Sequence, residues 1–405
     1  MTGRTAVLTG MGVVAPNGIG ADDFWKATRE GRSVLAPIDR EGCDRYPVRV
    51  AGLVRGFDAA SFVEERYLVQ TDRFTHFAMA AAGLALDEAG LTVDDPFGIG
   101  VVTAAGSGGG AFGQRELQEL WSRGPHHVGP YQSIAWFYAA STGQISIRGG
   151  FKGPCGVVAS DEAGGLDALA HAARAIRRGT EAVVAGAAEA PIAPYSMVCQ
   201  LGYPGLSTEE RPERAYLPFA PDAPGFVPAE GGAMFVVESE SAARARGARI
   251  RAQLAGHAAT FTGAARWAES RAGLAHAVRG ALAEARCAPD EIDVVFADAL
   301  GVPEADRAEA LALADALGDH SARVPVTAPK AGVGRAHCGA PVLDVAAAVL
   351  ALENGLVPPT PNVTTSDLGL DLVTGFARSA ELRTALVLSR GLMGSNAALV
   401  LRRTP

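Results

Sequence analysis

Apolar positions along the chain follow two periods. In "ASDEAGGLDALAHAARAIRRG" (159–179), Ala168, Leu169, Ala172 and Ile176 recur at three- and four-residue intervals, which predicts a helix with one buried face. The same period predicts helices over 72–90, 164–178, 271–286 and 304–318. Between them lie short β-rich runs, "TAVLTG", "FGIGVVTA", "EAVVAGAAEA", "GAMFVVES", "DVVFADA", "TALVLSRG" and "AALVLRR", each read as a strand. Helix and strand signals alternate over the whole length, which predicts a layered α/β architecture. A charge-rich stretch, "SESAARARGARI" (239–250), marks the expected junction between two halves, 1–248 and 249–405.

One boundary between the two periods stands out. The apolar run "GVVA" (156–159) stops at Ser160, Asp161 and Glu162, and a helix begins at once. α/β enzymes mount nucleophiles on such strand-to-helix turns, because a helix N-terminus stabilises negative charge. This turn carries two carboxylates and no cysteine. Two glycine patterns suggest nucleotide binding and fail its requirements. "TGMGVVA" (9–15) is followed by Pro16, Asn17 and Gly18, which stop a helix before its second turn. "AAGSGGGAFG" (104–113) lacks the G-K-[ST] ending of a phosphate loop. Both read as tight turns with close backbone packing.

Composition narrows the classes. With 405 residues the chain has ample material for a core, in two domains or one duplicated one. It is 48% hydrophobic and 20% charged, an ordinary globular balance. A formal net charge of −8 argues against nucleic acid as a partner. Cys43, Cys155, Cys199, Cys287 and Cys338 are odd in number and never in CxxC spacing. Neither a disulfide framework nor a zinc site is expected, and a reducing cytoplasm is. The N-terminal apolar run is too short for a signal peptide, and no stretch reaches the roughly 18 residues of a membrane span.

Four stretches, "VLTGMGVVAPNGIG", "ASDEAGGLDALAHAARAIRRGT", "VTAPKAGVGRAHCGAPVLDVAAAVLAL" and "RGLMGSNAALVLRR", together resemble the β-ketoacyl synthase family over essentially the whole chain. The resemblance implies a thiolase-like, five-layered α-β-α-β-α fold with two pseudo-duplicated halves. It also implies a centre between the halves that, in the family, uses a cysteine and two histidines. Here Glu162 stands at the cysteine position and Asp298 ("DALGV") at the first histidine position. Lys330 is retained, Arg335 stands at the second histidine position, and Leu392 and Met393 depart from the glycine-rich loop pattern. Condensation needs a thiolate, so no catalytic residue is expected. Cys155, expected before the strand, and Cys338, expected away from a helix N-terminus, read as packing cysteines.

The losses, with "FADALGVPEADRAEA", "APKAGVGR" and "SIAWFYAASTGQISIR", resemble the chain length factor (ketosynthase-β) branch of type II polyketide synthases. Its members commonly carry glutamine where Glu162 stands. A buried guanidinium needs an anionic partner, so Glu162, Asp298 and Arg335 are expected to form an ion cluster. The branch implies a heterodimer, or a higher assembly, with a catalytic ketosynthase. It also implies a tunnel that sets the length of a long poly-β-ketone of an aromatic pathway. Gly110, Gly113 and Leu117 on a helix over 108–121, with Ile134 and Tyr195, match its lining. Two glycines there are expected to open a void on the order of one to two hundred Å3. The second implied partner is an acyl carrier protein, whose acidity suits Arg174, Arg177 and Arg178. It carries phosphopantetheine, and this chain is expected to bind no cofactor or metal itself. Alternatives are a malonyl-carrier-protein decarboxylase, a chain length factor for reduced polyene-type products, and a scaffold without a tunnel.

Overall fold

The computed structural model describes residues 4–92, 95–263 and 267–404. Residues 1–3, part of the stretch read for a leader, and 405, the end of the second half, lie outside them. The alternating runs form β1 (Ala6–Ala15), β2 (Ile99–Ala104), β3 (Cys155–Val158), β4 (Ala182–Glu189) and β5 (Gly231–Ser239) in the first half. The second half supplies β6 (Ala252–Phe261), β7 (Val294–Phe296), β8 (Pro325–Thr327), β9 (Thr384–Arg390) and β10 (Ser395–Arg402). Their hydrogen-bonded orders are β3-β2-β4-β5-β1 and β8-β7-β9-β10-β6. In each half the first three strands of that order are parallel and the last two join antiparallel. The same order and the same directions occur twice, which is the signature of a duplicated unit. Val7–Gln253 and Leu8–Ala252 link β1 to β6, and Asp371–Leu372 extends the far edge beside β8.

Helices complete the layers. α1 (Arg73–Ala89) covers the outer face of the first set of strands, α2 (Gly110–Arg123) follows β2, and α3 (Gly164–Arg177) follows β3. α4 (Pro194–Leu201) follows β4; α5 (Ser270–Ala285) and α6 (Pro303–Leu317) cover the outer face of the second set. α7 (Gly339–Asn354) lies with α3 between the two sets, in the largest apolar cluster of the protein. The result is the five-layered α/β arrangement. α1 starts where Asp72 accepts from Phe74 N and ends at Gly90 in the left-handed region, the cap chemistry its sequence offers.

Two readings need correction. The "TGMGVVA" glycines form no tight turn: β1 runs through to Ala15, and the reversal comes at Pro16–Asn17, where Gly18–Ile19 pairs back on Val14–Ala15. Close packing is their role instead, since a Cβ on Gly12 would overlap the Ala81 carbonyl of α1. Cys155 does not precede its strand. It is the first residue of β3 and is exposed.

Candidate functional site

β3 ends at Val158, and Asp161 turns the chain with φ 58°, a conformation uncommon outside glycine. Met393 N holds the turn by donating to Asp161 Oδ2 at 2.7 Å. The next residue, Glu162, heads into α3 with 2% of its surface exposed. Its carboxylate accepts from Arg335 Nη2. The same guanidinium reaches Asp298 Oδ1 at 3.0 Å and the Asp298 carbonyl at 2.7 Å. A second guanidinium continues the chain: Arg390 Nε donates to Asp298 Oδ2 at 3.0 Å, and its Nη2 to Glu309 Oε2 at 2.9 Å. Glu309 in turn accepts from the backbone of Asp298 and Ala299 at 2.7 and 2.9 Å. Glu162, Arg335, Asp298, Arg390 and Glu309 thus form one buried line of alternating charge across the seam between the halves.

The alternation sets the ionisation. Burial alone would raise the Asp298 carboxyl, but Arg335, Arg390 and Lys330 outweigh it and hold the group at about 2. Burial disfavours charge on Arg335, and the Asp298 and Glu162 carboxylates overcome it and raise the guanidinium well above its ordinary value. At the end of the line burial pushes Glu309 up. Removing one partner from such an array leaves a buried charge uncompensated. Lys330 stands beside the array and pairs with Asp344, whose carboxyl burial pushes up to about 6. Leu392 belongs to a separate apolar cluster with Tyr216 and Leu300.

Above the turn lies a cavity of about 820 Å3 lined by Ser160, Asp161, Tyr203, His337 and Asn396 among others. Neither Glu162 nor any cysteine is among its lining residues. Cys338 corrects its expectation, for it stands at the N-terminal boundary position of α7, where the helix dipole favours a thiolate. Burial acts the other way, and with Glu189 and Glu162 nearby it raises the thiol far above its ordinary value. The Sγ instead donates to the Asp161 carbonyl at 2.9 Å. Among the described residues no group of three or more His, Cys, Asp or Glu suits a metal ion. No helix of the described residues is long and apolar enough to cross a membrane.

The second group of expected residues lies elsewhere on the first half. α2 starts at Gly110, so Gly110 occupies its first position and Gly113 its interior. Tyr195 opens toward them, with its backbone N donating to Gln114 Oε1 at 2.8 Å; Ile134 sits half-buried on the helical turn Gln132–Ala135. The expected void over the glycines is already taken. A Cβ on Gly110 would collide with Ser196 Oγ, and one on Gly113 would stand 2.8 Å from Trp136 Cδ1. Leu117 is exposed, as are Trp136, Phe137, Tyr138 and Val198 nearby in the fold. Of the basic candidates, Arg177 pairs with Glu284, while Arg174 and Arg178 lie exposed at the end of α3.

Sequence reasoning missed Arg390, Glu309 and Asp344. Each had a signal: a charge closing the apolar run "TALVLSR", an acid one turn after Asp306, and a lone acid inside the apolar run of α7. Buried charges of this kind survive only in pairs, so each asked for a partner.

Comparison with known proteins follows the same lines. The family profile for the N-terminal domain of β-ketoacyl synthases matches residues 4–243, and that for the C-terminal domain matches residues 251–364. A Streptomyces halstedii protein named "Putative polyketide beta-ketoacyl synthase 2" is 72% identical over 403 residues, covering 99% of this chain and 97% of its own. The tetracenomycin polyketide synthase ketoacyl synthase beta subunit of Streptomyces glaucescens is 50% identical over 404 residues, covering 98% of each. Among solved structures, the ishigamide ketosynthase/chain length factor superposes with a TM-score of 0.90 at 28% identity, covering all of both chains. A type II PKS acyl-carrier protein in complex with its ketosynthase bound to the hexaketide gives 0.89 at 28% identity, again over both whole chains.

Proposed function

The chain belongs to the β-ketoacyl synthase family, and from that premise we propose that it is the non-condensing, chain-length-setting partner of a catalytic ketosynthase in a type II polyketide synthase. One observation carries the reading: the nucleophile turn holds Glu162, a buried carboxylate paired with Arg335 through one oxygen, 3.7 Å from His337 Nδ1 through the other, and itself outside the cavity lining. A buried carboxylate bonded to a guanidinium captures no acyl group, so this subunit contributes geometry. Exposed Trp136, Phe137, Tyr138, Tyr195 and Val198 supply an aromatic and apolar surface of the kind that anchors a stable interface. The ketosynthase is the partner that covers it. An acyl carrier protein brings the growing chain on its phosphopantetheine arm and docks on basic side chains. The product is a long poly-β-ketone, and Gly110, Gly113, Leu117, Ile134 and Tyr195 lie along the space that limits it. The halves of this subunit are residues 1–248 and 249–405.

The test is co-expression with the partner ketosynthase and carrier protein, followed by mass measurement of the carrier-bound chain. Leu117→Trp should shorten the product by at least one ketide unit. Tyr195→Ala should shift it toward longer chains. Unchanged products from both variants, with the complex intact, would remove the chain-length role. Priming by malonyl decarboxylation is tested in the same system, and it should survive Glu162→Gln.

A further inference from the structure

We infer that Trp136 is the side chain that limits the space above α2, and that Gly113 is small in order to seat it. This rests on the chain-length reading above and identifies a further residue that sets product length. The segment carrying Trp136 is pinned to the start of α2 by its backbone. Gly109 N donates to the Trp136 carbonyl at 3.1 Å. A Cβ on Gly108 would stand 2.7 Å from that same carbonyl oxygen, and one on Gly109 would overlap the Ala135 carbonyl. These contacts fix the backbone from which the ring projects.

The indole therefore lies over the helix. A Cβ on Gly113 would meet Trp136 Cδ1 at 2.8 Å, with Gln132 Nε2 at 3.8 Å. A glycine inside a helix weakens it, and an interior one calls for a packing reason; the ring above supplies that reason. The wall is not a sealed core. Trp136 keeps 50% of its surface exposed in this chain, with Phe137 and Tyr138 exposed beside it. On the other side, Ser196 and Tyr195 stand over Gly110. Trp136 and Tyr195 thus flank the face of α2 that ends in Leu117. The bare glycines lend depth only as far as these neighbours allow, so the indole, a rigid ring with a fixed backbone, sets the limit.

The consequence is coupling between two positions. Cutting back Trp136 uncovers Gly113 and deepens the space. Adding a methyl at Gly113 pushes the indole outward and makes the space shallower. The experiment uses the complex with its ketosynthase and carrier protein, and reads the mass distribution of carrier-bound chains. Trp136→Ala should lengthen the main product by one or more ketide units, and Trp136→Phe should shift the distribution less in the same direction. Gly113→Ala should shorten products when Trp136 is present and have no effect when combined with Trp136→Ala. Unchanged lengths from Trp136→Ala in an intact complex would overturn the inference. Should that variant fail to assemble, unchanged lengths from Trp136→Phe would overturn it equally. Leu117→Trp and Tyr195→Ala separate the two levels. If they shift the product and Trp136 variants do not, only this inference falls; if none shifts it, the chain-length role falls with it.

Discussion

Asp298 touches both buried guanidiniums, whereas Glu162 touches one. Losing the charge of Asp298 takes one of two carboxylate partners from Arg335 and from Arg390 at once. Asp298→Asn should destabilise the protein by about 3–5 kcal/mol, the usual cost of breaking a buried ion pair. Glu162→Gln keeps a hydrogen-bond acceptor for Arg335 and should cost less, about 1–3 kcal/mol. Thermal unfolding of the purified complex ranks the two, and equal effects would dissolve the array as described. Acid provides an independent check. Asp298 sits at about 2 against an ordinary 3.8, so the unfolded chain takes up its proton first as pH falls. Its contribution, about 2 kcal/mol, is complete above pH 3.8 and disappears as pH drops toward 2. In Asp298→Asn the stability curve should be flatter over that window. Glu162, Asp298 and Arg335 were legible in the sequence because each stands at a motif position whose usual residue is missing. Arg390 and Glu309 carried only the general signal of a charge in an apolar or helical run, which names no partner, and the folded chain brings them to Asp298.

Elements were legible where burial is one-sided. α1, α3, α5 and α6 each show a helical period, since one face meets strands and the other meets solvent or a neighbour. α7 shows none: every residue from Gly339 to Leu352 is buried, so its apolar run carries no phase to read. β6, "AQLAGHAATF", is rich in alanine and has little β-branched signal; the pairing with β10 makes it a strand. The glycine-bearing part of β1 misled for the opposite reason. Glycine signals a turn in sequence, and here it permits α1 to lie against the strand. Gly12→Val should accordingly cost about 1–3 kcal/mol or more through overpacking, read as a fall in the melting temperature or in the yield of soluble complex. A variant as stable as the parent would contradict the contact with Ala81.

At the scale of the molecule, the duplication explains why there is a site at all. The turns that start α3 and α7 occupy matching places in the two halves, and both helices meet in the central layer, bringing Asp161, Glu162, His337 and Cys338 together. This was implied by the resemblance, while the repeated strand order became visible only in three dimensions. The aromatic surface around Trp136 is costly to leave in water, so the chain expressed alone should be poorly soluble, and co-expression with the ketosynthase should raise its yield and melting temperature. A well-behaved monomer at equal yield would contradict that. The central claim is that no sulfur of this subunit accepts an acyl group. Its most direct test is intact-protein mass measurement of both subunits during turnover with malonyl-loaded carrier protein. Acyl adducts should appear on the ketosynthase subunit alone; a thioester adduct on any of the five cysteines of this chain would overturn the assignment.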